Sequence, residues 1–402
     1  MKKTLIVLFL SVLFLSAYSG AFAVDFGDLS IHGFVSQGYL KSSDNNYLAQ
    51  TEDGTFEFNE SAINFSLSPS DNLRVGVQLM SRDLGRTRNN DIYLDWAYAD
   101  YRFNDAFGIR VGKVKIPMGL YNQTRDIDFL RTSILLPQSV YNENERSFVT
   151  AYNGGGVYGN FDVGQMGNIE YEVLAGTVDA DKNRPSFTNV LSSLDPLRRG
   201  SQGTNQYVEM EWGSSQALRW ETPLDGLRFG VSHSMAALNM GADYDAVVAI
   251  VGARVEVDTS STIFSLEYVW GNLTLAAEYT IRDVETDIKY SGVVAATNDL
   301  EQEGYYGLVS YQINDMFELG TYYSVFYGDK DDRDGDNQPP GMDYFAWQKD
   351  WTISVKVNLL ENMALKLETH FIDGAAMMYA HENPQGIEDN MILYAAKCAI
   401  SF

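Results

Sequence analysis

The chain has 402 residues, 45% of them hydrophobic, with 25 Tyr and 21 Phe. It carries 29 Lys plus Arg against 54 Asp plus Glu, a formal net charge of −25. Such a balance lacks the basic face that a nucleic-acid partner needs. The aromatic content is also too high for a disordered acidic chain.

Residues 1–23 are predicted to be a cleaved secretory signal peptide. Lys2 and Lys3 form a basic start, an apolar run follows, and Ala21-Phe22-Ala23 supplies a small-x-small cleavage pattern. The alternative is an uncleaved N-terminal membrane anchor. The remaining chain, 24–402, is predicted to be one domain that begins at Val24.

No later apolar stretch approaches the roughly 20 residues that a spanning helix needs. The longest unbroken one is Ala246 to Ala253. An exported chain of this kind is therefore either an outer-membrane β-barrel or a periplasmic protein.

Alternating strands separated by tight turns follow the signal. In the strand after the first turn, Leu73, Val75 and Val77 share one face, while Arg74 and Gln78 share the other. Successive strand side chains point to opposite faces, so each strand has one apolar and one polar side. Seven tight turns are predicted at 70–72, 104–106, 164–167, 224–226, 271–272, 314–316 and 361–362.

The pattern predicts an all-β fold, a 16-stranded antiparallel transmembrane β-barrel with short periplasmic turns and long outer loops. The long segments at 41–54, 179–206, 328–349 and 374–389 fit outer loops, and 246–257 resembles a strand-like piece of loop. The predicted strands are 29–40, 56–68, 72–83, 91–103, 106–117, 150–163, 167–178, 207–222, 226–238, 261–270, 273–284, 303–313, 316–327, 348–359, 362–373 and 390–402.

The last predicted strand favours the barrel over a soluble β-sandwich or periplasmic binding protein. Tyr394, Ala396, Cys398, Ile400 and Phe402 form one apolar face that ends on an aromatic residue. This ending resembles the assembly signal of bacterial outer-membrane proteins. The expected partners are therefore outer-membrane lipid and the barrel-assembly machinery.

In a barrel the polar faces of the strands line the lumen. Basic residues outnumber acidic ones on the clearest strands, although the whole chain is acidic, so charge selectivity stays open. The predicted pore-wall residues are Arg74, Arg82, Arg110, Arg228, Glu278, Arg282, Lys356, Lys366 and Lys397.

The connection 118–147 is predicted to be a constriction loop. It is long for a surface loop without a role and too apolar to lie comfortably in water. Folding into the barrel would set charges of both signs across the channel. The alternative is a loop packed over the rim or against a neighbouring subunit. Its candidate constriction residues are Arg125, Asp126, Asp128, Arg131, Glu143, Glu145 and Arg146.

Three stretches carry a family resemblance. Ile31–Ser42, Gly112–Asn122 and Pro137–Tyr141 resemble the corresponding regions of phosphate-selective-type and related Gram-negative porins. The resemblance implies a homotrimer of 16-stranded barrels, each constricted by an inward-folded third loop. Phosphate-selective members depend on many Arg and Lys residues in the channel, whereas the loop here mixes Arg, Asp and Glu.

The predicted function is passive diffusion of ions and small hydrophilic solutes, possibly anions, through an outer-membrane channel. The alternative is a non-conducting barrel that serves as adhesin, receptor or envelope scaffold. The four His residues, at 32, 233, 370 and 381, form no spaced metal motif. No enzymatic activity, cofactor, metal or nucleic-acid partner is predicted.

Overall fold

A computed structural model describes residues 29–402, except 86–87, 180–186, 188–189, 192–193, 196, 198–202 and 246–249. The predicted signal peptide, 1–23, lies outside the described residues. None of the helices in the described ranges is long and apolar enough to cross a membrane.

The described chain forms a closed, all-antiparallel barrel of sixteen strands, which confirms the predicted fold class. Each strand pairs with its neighbours in sequence, and β1 pairs with β16 to close the barrel. The strands are β1 Ser30–Ser42, β2 Phe58–Ser70, β3 Leu73–Leu84, β4 Asn89–Asn104, β5 Phe107–Lys115, β6 Ala151–Asp162, β7 Asn168–Thr177, β8 Thr204–Glu221, β9 Leu227–Asp245, β10 Ile250–Trp270, β11 Leu273–Tyr290, β12 Val293–Gln312, β13 Phe317–Tyr327, β14 Trp347–Leu360, β15 Met363–Asp373 and β16 Asn390–Ser401.

Short connections join the strands at all seven predicted turns. The prediction of a long connection at 285–302 is wrong, because β11 and β12 continue to a two-residue turn at 291–292. Strands β9 to β12 run on past the level expected for the membrane, so residues 250–257 belong to β10. These four strands have 18 to 21 residues, against 11 in β13 and β15.

The outward face of the barrel is apolar. Val35, Val111, Leu319, Trp351 and Ile400 are exposed on it, each on a different strand. Aromatic residues gather on this face beside the short turns, as at the water interface of a membrane barrel. They include Phe103, Phe107, Phe161, Trp220, Trp270, Tyr311, Phe317 and Phe402.

The buried core lies inside the barrel rather than between layers. One cluster joins β1, β15 and β16 to the outer loops 43–57 and 374–389 and to Ile134 and Leu135 of the third loop. The loops are held to each other by Asn45 and Asn46, which bond to Glu388 and Asn383. Short helices in the described part are Asn122–Thr124, Asp128–Leu130, Arg146–Val149, Gly164–Met166, Lys330–Asp332 and Asp343–Phe345.

Candidate functional site

The candidate site is the lumen together with the third loop, residues 116–150, which connects β5 to β6 and lies inside the barrel. At one side, Gly119 N–H donates to Ser232 Oγ of β9 at 3.0 Å. At the other, Ile134 N–H donates to Glu368 Oε2 of β15 at 2.7 Å. The loop therefore spans the lumen and bonds to opposite walls.

Glu60 of β2 organises the first of three contact groups. Its carboxylate accepts from Arg146 at 2.7 Å and Lys397 at 2.7 Å, and Arg82 Nε lies 3.1 Å away. Glu143 of the loop pairs with the same Arg82, with Arg146 at 3.6 Å and with Arg125 at 2.8 Å. Because all of these side chains are buried, the pairs join β2, β3 and β16 to the loop.

Asp128 extends this group toward β15 and β16. It lies 2.8 Å from Lys397, 3.7 Å from Lys366 and 3.5 Å from Arg131. Burial alone would raise the pKa of Asp128, but Lys397 and Lys366 outweigh it, and the net pKa is lowered. Burial opposes ionisation of Glu143 in the same way, and Arg82 and Arg125 hold its pKa well below the usual range. Both loop carboxylates are therefore charged at neutral pH.

The second contact group clasps the loop at β15. Glu368 accepts two backbone N–H bonds from the loop, one of them from Leu135 at 2.9 Å, and a third bond from Ser354. His370 lies between Glu368 Oε1, 3.0 Å from Nε2, and Asp350 Oδ2, 2.9 Å from Nδ1. Only a doubly protonated imidazole donates to both carboxylates.

Lysines of β14 and β15 complete this clasp through backbone carbonyls. Lys366 Nζ donates to Asp128 O at 2.6 Å and to Ser133 O at 3.0 Å. Lys356 Nζ donates to Phe129 O at 2.7 Å. These cations satisfy buried carbonyls of an irregular segment that would otherwise lack partners.

Glu278 of β11 forms the third contact group. It accepts from Leu120 N–H at 2.8 Å, from Tyr306 Oη at 2.8 Å and from Ser265 Oγ at 2.5 Å, and Tyr141 Oη also donates to it. The first turn of the loop is therefore fixed to the wall opposite the clasp.

Water-accessible spaces lie on both sides of the third loop. A vestibule of about 770 Å³ on the side of the short turns is lined by Arg74, Arg110 and Lys115 together with Asp126. Burial alone would raise the pKa of Asp126. Lys115, whose Nζ lies 2.6 Å from Oδ1, outweighs burial, and the net pKa is lowered. A smaller cavity of about 280 Å³ lies toward the outer side, against β8 to β12.

All seven candidate constriction residues lie inside the barrel, but they do not face one open passage. Arg125, Asp126, Asp128, Glu143 and Arg146 are buried in ion pairs. The other two, Arg131 and Glu145, are partly buried, and Glu145 pairs with Arg282 at 2.7 Å. Their role as a constriction stays a prediction.

The predicted pore-wall residues point inward and divide into two sets. Arg82, Lys356, Lys366, Lys397 and Glu278 are buried against the loop. The set that keeps contact with water consists of Arg74, Arg110, Arg228 and Arg282.

Sequence reasoning placed acidic as well as basic residues on the lumen face, but it missed five further inward carboxylates of the described strands. Each contacts a lumen group: the loop, a wall cation or a wall amide. Strand parity alone would have identified Glu60, since it alternates with the outward Ile63 and Phe65 of β2. The five are Glu60, Asp95, Asp100, Glu267 and Asp350.

Comparison with known proteins gives a fold match alone. No family model and no curated protein match the sequence. Among solved structures, OmpF of Salmonella typhi in complex with daunomycin matches with a TM-score of 0.55 and 12% identity, over 93% of this chain and 97% of that one. An anion-selective porin from Comamonas acidovorans matches at 0.53 and 9%, over 93% and 99%.

A trimer form of the outer-membrane protein OmpT of Vibrio cholerae matches at 0.52 and 9% identity, over 93% and 99%. The chain thus has the fold of integral outer-membrane barrels of the porin type. At these identities the likeness defines the architecture and leaves the solute open.

Proposed function

We propose that this protein is an outer-membrane channel for passive diffusion of ions and small hydrophilic solutes. The observation that carries the proposal is the polar, water-accessible lumen, which opens as a vestibule of about 770 Å³ below a charged loop. The apolar outer face and its aromatic residues fit a bilayer. The porin-type fold supports the same function.

The vestibule favours anions over cations at its turn side. Arg74 is exposed there, and Arg110 remains partly exposed although it pairs with Asp100 at 3.0 Å and Glu172 at 2.9 Å. A charged lining biases permeating ions locally. The resemblance to phosphate-selective-type porins points the same way and supports a homotrimer. The residue pattern at 1–23 supports a cleaved signal peptide, and the closing strand that ends on Phe402 supports delivery by the barrel-assembly machinery.

Single-channel recording in a planar bilayer tests the function directly. The full-length protein is expected to give stepwise currents. In a salt gradient, the reversal potential is expected to have the sign of an anion-selective channel. The matched control is protein heat-denatured before addition. Absence of steps from correctly folded barrels would contradict the proposal.

The loop-filled lumen favours a second candidate, a barrel that does not conduct and serves as a receptor or scaffold. This candidate predicts that the full-length protein gives no current. A variant in which residues 120–145 are replaced by a short Gly-Ser linker should then conduct. Steps from both proteins, larger in the variant, would instead support the channel.

A further inference from the structure

The outer cavity of about 280 Å³ has a layered lining that the general channel function does not require. In the register of β9 to β12, Ser234, Ser261, Arg282 and Gln302 lie in one row across four neighbouring strands. The inward residues of the next rows, toward the outer side, are largely apolar. The cavity therefore has a polar floor and an apolar wall.

The apolar wall is built from both the barrel and the third loop. Met210, Leu238, Met240 and Val257 project from β8, β9 and β10, and Phe148 closes the space from the loop. Methionine side chains adapt to irregular apolar shapes. A volume of about 280 Å³ lies at the small end of ligand pockets, below the ~300–1,000 Å³ typical of drug-sized ligands. The space suits one small apolar group.

The floor carries one positive and one negative charge in contact. Arg282 Nη1 donates to Glu145 Oε2 at 2.7 Å, and both side chains remain partly exposed, at 22% and 36%. Within the described ranges, neither side chain makes a second ion pair. The guanidinium thus has further N–H donors for a carboxylate, and the second oxygen of Glu145 can accept from an ammonium group.

We propose that this cavity binds a zwitterionic solute with an apolar side chain, namely an apolar α-amino acid. Its carboxylate lies on Arg282, its ammonium group lies on Glu145, and its side chain fills the apolar wall. The two opposed ion pairs attract as antiparallel dipoles. A pure anion meets the like charge of Glu145, and a pure cation meets the like charge of Arg282.

Binding at this cavity does not depend on conduction. Passage of the bound amino acid through the barrel rests on the proposed channel function. A protein that binds but does not conduct would therefore contradict the channel and leave this site standing.

A set of three ligands with one shared side chain tests the site. Ligand-observed NMR titration of the protein in lipid nanodiscs would use L-leucine, 4-methylpentanoate, which lacks the amino group, and 3-methylbutylamine, which lacks the carboxylate. Leucine is expected to bind at least about tenfold more tightly than either analogue and than glycine. Empty nanodiscs provide the blank.

Two variants separate the charges. Arg282→Gln is expected to weaken leucine binding at least about tenfold. Glu145→Gln is expected to weaken leucine binding and to strengthen binding of 4-methylpentanoate, because the repelling charge is gone. Lys289→Gln is the matched control. Lys289 lies on the same strand as Arg282, but it faces outward and pairs with Glu256 of β10. It should leave all affinities unchanged.

Three results would overturn parts of the proposal. Tighter binding of 4-methylpentanoate than of leucine by the unmodified protein would overturn the zwitterion in favour of a carboxylate site. Equal binding of glycine and leucine would overturn the role of the apolar wall. Unchanged leucine binding in a folded Arg282→Gln barrel would overturn the assignment of the floor.

Discussion

Two halves of the lumen wall share the same strand pattern, but their inward side chains make different contacts. The packed half, formed at the level of the third loop by β2, β3 and β14 to β16, pairs its inward charges with that loop. The open half, formed by the outer parts of β9 to β12, carries few charges and leaves a cavity beside Arg282. Inward placement of a charge therefore does not by itself define what a solute meets.

The difference has a simple electrostatic origin. Glu60, Glu143 and Asp128 lie away from water and share six cations, so each ionised group there has a partner. A buried charge without a partner would be very costly. Arg282 and Glu145 remain partly hydrated, and their pair is weaker and exchangeable.

The largest predicted effect comes from breaking the packed half. Glu60→Gln leaves Arg82, Arg146 and Lys397 with one carboxylate fewer, and we expect the free energy of unfolding to fall by about 3–5 kcal/mol. Urea unfolding followed by heat-modifiable gel migration measures the loss. Glu57→Gln, an exposed neighbour just before β2, is the control and should behave as the unmodified protein.

The His370 clasp should give the next largest effect. His370→Asn removes one of the two N–H donors and the positive charge between Asp350 and Glu368. We expect a loss of about 1–3 kcal/mol in local stability, because a buried carboxylate loses its partner. Faster amide hydrogen exchange at Ile134 and Leu135 is the readout. Unchanged exchange at both amides would show that Glu368 holds the loop without His370.

Strong acid should weaken the contacts that hold the third loop in the packed half. The pKa values of Glu143, Asp128 and Asp126 are lowered in the folded protein, so their contribution to stability is present above the unfolded values of about 4. It is lost as the pH falls through the folded values. Protease cleavage within 118–147 is therefore expected only in strongly acid solution, and Glu143→Gln should move its onset to higher pH.

The smallest stability effect should come from the vestibule. Arg74 is exposed and donates to Ser66 Oγ at 3.0 Å. Arg74→Gln should leave unfolding unchanged while shifting the reversal potential toward cations. Arg125→Gln should do the opposite, with a large loss of stability, because Arg125 is buried between Glu143 and the loop backbone. If Arg74→Gln and Arg125→Gln shifted the reversal potential equally, the distinction between paired and water-exposed charges would be wrong.

The sequence predicted the strands because each spanning strand must show one face to lipid and one to water. It placed the ends of β13 at 316 and 327, against Phe317–Tyr327 in the structure. It failed above the membrane, where the outward face of β11 becomes acidic at Asp283, Glu285 and Asp287. There the apolar residues, such as Val284 and Ile288, face inward, so the alternation is inverted relative to a strand that faces lipid.

The third loop was recognisable from its length and apolar content, but its contacts were not. Pairing of Glu60 with Arg146 depends on how the chain crosses the lumen, and the two residues lie 86 positions apart. The same holds for Glu368 and the amides at 134 and 135. The local sequence pattern therefore predicts which face of a strand a residue lies on. It does not predict the contacts that anchor the loop, because these involve residues far apart in the sequence.

The long hairpin of β11 and β12 gives the rim an uneven height. Its strands exceed β13 by seven residues or more, about 20 Å or more at ~3.3 Å per residue. The tip, Ser291 and Gly292, has positive φ angles of 49° and 83°, a two-residue turn that is exposed. Antibodies and phages that approach the cell would meet this tip early, so it is a natural place to display an inserted peptide.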